Sequence, residues 1–210
     1  MTGATPLIIP ALPEVHQIGH LVDILDGIVL TGGRPNVHPE EYGHAETEAH
    51  GPFDRGRDRV AINLVRAAVD AGVPLFGICR GMQEMAVGYG STLHPEIRDL
   101  PGRMNHRMLQ DVPREQRYDI RHAVNLTPGG QFAKLYGTER IEVNTLHGQG
   151  ILESGDRIVV EGTADDTTIE AISIRDAQGF AMGVQWHAEH DPEAQPVNAP
   201  LWHEFTGAMH

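Results

Sequence analysis

The stretch PLFGICRGMQEM, residues 74–85, decides how this chain is read. An apolar run ends at Gly77-Ile78, the single cysteine follows at position 79, and a helix-like pattern begins after Arg80-Gly81. A strand that stops, turns sharply and opens a helix exposes the residue at its apex. The positions two before and two after that apex approach each other, so glycine is favoured at both. This is the cysteine form of the nucleophile elbow G-x-S-x-G. At the apex Cys79 also meets a helix N-terminus, whose free N–H groups and dipole stabilise a thiolate. The N–H of Arg80 points into the same space and can stabilise an oxyanion. Taken alone, a buried structural cysteine beside an incidental GxCxG fits the same five residues.

Outward from this elbow, short apolar runs alternate with helical patterns, the arrangement of an α/β domain with a mainly parallel sheet. PLIIPAL (6–12) and DGIVLTGG (26–33) read as buried strands, with helical spacing between them at Val15, Ile18, Leu21, Val22 and Leu25. RDRVAINLVRAAVDAG (57–72) is the clearest helix, with Gly72 placed to end it. The segment from Pro95 to Gln116 reads as loop. HAVNLTP, IEVNTLH, RIVVEGTA, IEAISIRD and FAMGVQWH then read as strands, and AQG (177–179) as a hairpin turn between the last two. APLWHEFTGAM (199–209) reads as a closing helix. No repeat or linker divides the chain, so one domain over residues 1–210 is expected.

Composition narrows the partners. The formal charge is −13, from 16 Lys and Arg against 29 Asp and Glu. Phosphate-rich surfaces would be repelled, so neither a nucleic acid nor an anionic membrane is an expected partner. A single cysteine precludes an internal disulfide and fits a reducing compartment. The chain carries no span-length apolar run and no secretory pattern at its start, and a cytoplasmic location is expected.

Two further stretches complement the elbow. In GVQWHAEHD (183–191) a strand delivers His187, and Glu189 follows two residues later. A thiol nucleophile needs a base, and the base needs an acceptor to fix its tautomer. With 13 histidines in the chain, most are surface residues, and His190 and His203 are read that way. In LTGGRPNV (30–37) a strand ends in Gly32-Gly33, where the backbone can approach a ligand closely. Gly33 N–H would be a second oxyanion donor opposite Arg80; alone, a plain turn fits as well.

Together, DGIVLTGGRPNVHPEEYG, PLFGICRGMQEMAVGYGSTLH, VNTLHGQG and GVQWHAEHD resemble the class I glutamine amidotransferase-like superfamily, and within it the γ-glutamyl-γ-aminobutyrate hydrolase family (peptidase family C26). The resemblance implies a three-layer α/β fold with helices on both faces of the sheet. It also implies a γ-glutamyl hydrolase with a Cys-His-Glu triad: Cys79 as nucleophile, His187 as general acid/base and Glu189 as the orienting carboxylate. Gly33 and Arg80 would supply the oxyanion N–H groups. Gln83 would contact the glutamyl moiety, and the backbone around Leu146 and His147 would hold its α-carboxylate. The implied substrate is a small γ-glutamyl conjugate of the kind met in polyamine breakdown.

Two departures stand out. The family usually reads His-Pro-Glu where this chain has His187-Ala188-Glu189, and alanine gives up the fixed φ of proline. The usual first strand–helix unit is missing from the pattern, with Met1 falling just before the second strand. A sheet edge left open in this way favours association, and a homodimer is compatible with it. No cofactor and no metal is expected. His16 and His20 stand at i, i+4 without a third ligand, HAEH lacks the zinc-protease spacing, and no P-loop or dinucleotide fingerprint is present. Two rival readings are a glutaminase subunit feeding ammonia to a synthase and a non-catalytic γ-glutamyl-binding protein.

Overall fold

The structure, a computed structural model, describes residues 3–15, 17–47, 50–193 and 195–209. Its elements, in chain order, are α1 (Ile18–Val22), β1 (Ile28–Leu30), α2 (Arg55–Ala71), β2 (Leu75–Ile78), α3 (Arg80–Gly88) and β3 (Thr92–His94). They continue as β4 (His122–Leu126), α4 (Gln131–Tyr136), β5 (Arg140–Val143), β6 (Gly150–Glu153), β7 (Ile158–Ala164), β8 (Ile169–Ile174), β9 (Ala181–Val184) and α5 (Ala199–Gly207). Seven strands form one sheet in the order β1-β2-β9-β8-β7-β4-β5, and β3 pairs with β6 apart from it.

The sheet is mixed, which corrects the expectation of a mainly parallel one. β1–β2 and β2–β9 run parallel, whereas β9–β8, β8–β7, β7–β4 and β4–β5 run antiparallel. The reason lies in the connections. α2 links β1 to β2 and returns the chain for a parallel partner, whereas the short turn between β8 and β9 allows only an antiparallel pair.

Helices flank both faces. The apolar side of α2 (Ala61, Leu64, Val65, Ala68) packs with Met82 and Met85 of α3 against Leu30, Leu75 and Ile172. On the other face Phe132 of α4 and Leu201 and Phe205 of α5 cover Phe76, Met182 and Val184. Leu75 and Phe76 thus lie in different clusters, as the alternation of side chains along a strand requires. α2 starts where the Asp54 carboxylate accepts from Arg57 N at 3.0 Å and ends at Gly72, whose φ is 73°.

The first apolar run is corrected. Residues 6–12 form no strand, and Ile8 is 93% exposed. Among the described residues from 13 to 26, helix is limited to a 3₁₀ turn at Pro13–Val15 and the five residues of α1. β1 is therefore the sheet's edge strand. Beside it runs a groove of about 960 Å³ lined by Ile8, Ile24, Ile28, Leu64, Phe205 and Met209, among others. The paired histidines read from the sequence cannot be compared, because His16 is outside the described residues. Among the described residues, no helix is long and apolar enough to cross a membrane.

Candidate functional site

The elbow is built as its glycines predict. β2 ends at Ile78, α3 begins at Arg80, and Cys79 between them has φ 52° and ψ −105°. A Cβ at Gly77 would meet the backbone of Gly81 at 2.9 Å, as well as the Met85 sulfur. A Cβ at Gly81 would run into the Leu30 carbonyl. Cys79 N donates to the Val184 carbonyl at 2.7 Å, which ties the apex to the end of β9.

β9 ends one turn before His187, and Asn144 holds that residue in place. Its Oδ1 accepts from His187 N at 2.8 Å and its Nδ2 donates to the His187 carbonyl at 3.1 Å. The His187 ring lies against Gly32, where an added Cβ would stand 2.8 Å from Cε1 and 3.7 Å from Cys79 Cβ. His187 Nδ1 is 2.6 Å from Glu189 Oε1. Burial opposes charge on the imidazole, but hydrogen bonds to Cys79 and Glu189 and their charges outweigh it and lift its pKa to about 10. Tyr118 packs edge-on to the His187 ring at 5.7 Å and stacks on His190 at 4.3 Å, so the 95–118 segment covers this end of the site. Ala188 is fully buried, and its carbonyl accepts from Trp202 Nε1 at 2.8 Å, which anchors the position where proline is usual.

The enzyme reading defined by a Cys-His-Glu triad is corrected by the packing. Among the described residues, the His/Cys/Asp/Glu group whose ligand-capable atoms all lie within 4.8 Å of one another is His106, His147 and Glu170. It is a His-His-Glu cluster and does not include Cys79. The Glu189 side chain is 44% exposed, so it meets His187 as a separate pair rather than within a closed three-residue cluster.

The remaining expected residues are placed as follows. Gly33 sits where an added Cβ would meet Arg57 Nη1 at 2.8 Å and Arg80 Cδ at 3.3 Å. Gln83 is buried and its amide donates to Gln149 O at 2.7 Å and to Gln185 Oε1 at 3.0 Å. Leu146 is half-buried, whereas His147 is buried, with its backbone N–H donated to the His106 carbonyl at 3.0 Å. Gln149 then joins this loop to residues 31–38: Val37 N donates to its Oε1 at 2.8 Å, and its Nε2 donates to the Val37 carbonyl at 3.2 Å.

An ionic network beneath the glycine loop was not foreseen from the sequence. Arg80 reaches the Pro35 carbonyl at 2.8 Å, Asp58 at 2.6 Å and Glu84. Arg57 donates to the Gly32 carbonyl at 3.0 Å, to the Thr31 carbonyl and to Glu84 at 2.8 Å. Asp58 in turn accepts from His38 N at 3.1 Å. Burial pushes the Glu84 and Asp58 carboxyls up, against the pull of Arg80. The i, i+4 pair Arg80 and Glu84 was the available signal; Asn144 left only the bare VNTLH string.

This architecture is the α/β fold of class I glutamine amidotransferase-like proteins. The solved glutamine amido transferase from Methylobacillus flagellatus matches with a TM-score of 0.61 over 90% of this chain and 79% of that one, at 16% identity. The chain belongs to the Peptidase C26 family, whose sequence model matches residues 1–189. It is 36% identical over 208 residues to the gamma-glutamyl-gamma-aminobutyrate hydrolase PuuD of Escherichia coli (strain K12), covering 98% of this chain and 81% of that protein. The gamma-glutamyl-gamma-aminobutyrate hydrolase of Shigella flexneri is 35% identical with the same coverage.

Proposed function

We propose that this chain hydrolyses γ-glutamyl amide bonds, releasing glutamate and a free amine from γ-glutamyl-γ-aminobutyrate or a related small conjugate. The observation that carries the proposal is membership of the Peptidase C26 family combined with a cysteine held at φ 52° beside a histidine. The named activity of the relatives in Escherichia coli and Shigella flexneri points to the γ-glutamyl bond.

In this reading the Cys79 sulfur attacks the γ-carbonyl carbon and its proton passes to His187. The carbonyl oxygen takes up negative charge, and backbone N–H groups of Gly33 and Arg80 are the donors assigned to it. His187 then gives its proton to the departing amine as the C–N bond breaks, leaving a γ-glutamyl thioester. Water, losing a proton to His187, attacks the thioester; glutamate leaves and the thiol is restored. The raised pKa of His187 suits the proton-giving step, because the ring holds the proton taken from Cys79 until the amine departs. Gln83 and the loop at Leu146 and His147 are assigned to the glutamyl side.

The test is release of glutamate by the purified chain from γ-glutamyl-γ-aminobutyrate, with glutamine as the comparison. Turnover of the conjugate that disappears in Cys79→Ala, with the circular dichroism spectrum retained, is the expected result. Ammonia release from glutamine alone would point to a glutaminase instead. Binding of the conjugate without glutamate release would mark a non-catalytic binding protein.

A further inference from the structure

Behind the 144–149 loop lies a group of buried side chains that take no part in the proposed proton transfers, although the backbone at His147 is assigned to the substrate. Glu170 on β8 is fully buried, and both its carboxylate oxygens lack a hydrogen-bond partner. Its Oε1 faces three imidazole nitrogens: His106 Nδ1 at 3.4 Å, His147 Nε2 at 3.5 Å and His122 Nε2 at 3.6 Å. Of these, His147 Nε2 and His122 Nε2 are likewise buried without a partner.

The opposite nitrogen of each ring fixes its tautomer. His147 Nδ1 lies 3.0 Å from the Gln149 carbonyl, and His122 Nδ1 lies 3.1 Å from the Ala123 carbonyl. Since a carbonyl only accepts, both of these nitrogens carry the proton. His106 Nε2 lies 2.9 Å from Asp166 Oδ2, which likewise calls for a proton on that nitrogen. In the neutral rings the nitrogens facing Glu170 therefore present lone pairs. Three lone pairs and a carboxylate oxygen converge in a dry interior with nothing positive between them. His106 Nδ1 also has the Thr145 hydroxyl at 3.3 Å, so a proton on Glu170 could serve one of the other two nitrogens and would leave one unsatisfied. A cation serves His106, His147 and Glu170 together.

We propose that His106, His147 and Glu170 bind a divalent transition-metal ion, with His122 against the same carboxylate, and that Zn²⁺ is its best chemical match. Imidazole-rich sites with one carboxylate suit Zn²⁺. Metal–nitrogen bonds of about 2.0–2.1 Å in a tetrahedron separate neighbouring ligand atoms by about 3.4 Å, and the Glu170 separations of 3.4 and 3.5 Å match that span. Histidine ligands backed by a carboxylate or a backbone carbonyl on the far nitrogen are the usual outer shell of such sites, and all three rings have one. The ion joins the loop at residue 106, the 144–149 loop and β8, with His122 of β4 against the same carboxylate. Its place is structural, beside the proposed reaction site, and the proposal stands apart from the hydrolase reading. The ligands come from three distant segments, so no short spacing in the sequence advertises them.

The experiment is metal analysis of the purified full chain after chelator treatment and reloading with Zn²⁺, followed by gel filtration. One equivalent of Zn²⁺ is expected to stay bound, and Co²⁺ loading should give the intense visible bands of a four-coordinate ion. Glu170→Gln and His147→Ala should each lose the bound ion at least tenfold. Retention undiminished in both variants, checked for folding by circular dichroism, would place the ion elsewhere and overturn the assignment. Should either variant unfold, the wild-type Co²⁺ spectrum decides: bands of the aqueous ion, or no bound cobalt, sink the proposal.

Discussion

Asn144 grips the backbone of His187 on both sides, accepting from its N–H at 2.8 Å and donating to its carbonyl at 3.1 Å. This side chain does for His187 what a neighbouring strand would do, beyond the point where β9 has ended. Asn144→Ala removes both bonds and leaves the imidazole free to shift. A displacement of about 1 Å at a reacting group can cost on the order of a hundredfold in rate. The expected outcome on γ-glutamyl-γ-aminobutyrate is a kcat lowered by roughly ten- to a hundredfold with KM little changed. An unchanged kcat would remove Asn144 from the positioning of the site.

The pair formed by His187 and Glu189 sets a pH dependence. The folded pKa of His187 is lifted to about 10, above the ordinary histidine value of about 6.5. A group raised in this way contributes stability that is fully present below about 6.5 and is lost as pH rises through about 10. Chemical denaturation should therefore show this contribution fading between those limits. Glu189→Gln removes one of the raising partners, so the imidazole titration followed by NMR should move to lower pH, and the pH-dependent loss should begin earlier. An unmoved titration would show that Glu189 does not govern the ring.

The network under the glycine loop makes a prediction about stability. Glu84 is fully buried between Arg57 and Arg80, and neither arginine has another carboxylate to replace it at that point except Asp58 beside Arg80. Removing one partner of a buried ion pair costs about 3–5 kcal/mol, because the remaining charge stays desolvated. Glu84→Leu should lower stability by that amount in urea unfolding. It should also loosen residues 31–35, whose carbonyls Arg57 and Arg80 hold, and amide exchange there should quicken.

The legibility of this chain follows from which interactions are local. The elbow could be read because its constraint is steric and short-range: Gly77 and Gly81 are required by atoms within a few residues of Cys79 or directly across from it. Helix α2 could be read because its apolar stripe and its terminal glycine agree. Strand direction could not, since apolar runs look alike whether the neighbour is parallel or antiparallel, and four of the six pairings in the main sheet proved antiparallel. PLIIPAL misled for a related reason: its composition suits a strand, but no partner strand lies along it. The cluster around Glu170 escaped notice because residues 106, 122, 147 and 170 meet only through tertiary structure.

The backbone at Cys79 yields a last prediction, in which stability and activity part. A non-glycine residue at φ 52° is strained, and such positions cost of order 1–3 kcal/mol. Cys79→Ala removes the sulfur and keeps the strain, because alanine still carries a Cβ. Cys79→Gly removes both, against a loss of about 0.5–1 kcal/mol for the greater freedom of glycine in the unfolded chain. The glycine variant should therefore be more stable than the alanine variant by about 1 kcal/mol, a few degrees in Tm for a chain of this size. Both should be inactive on the γ-glutamyl substrate. A glycine variant less stable than the alanine one would mean that the elbow is not strained, and that the positive φ at residue 79 costs the fold nothing.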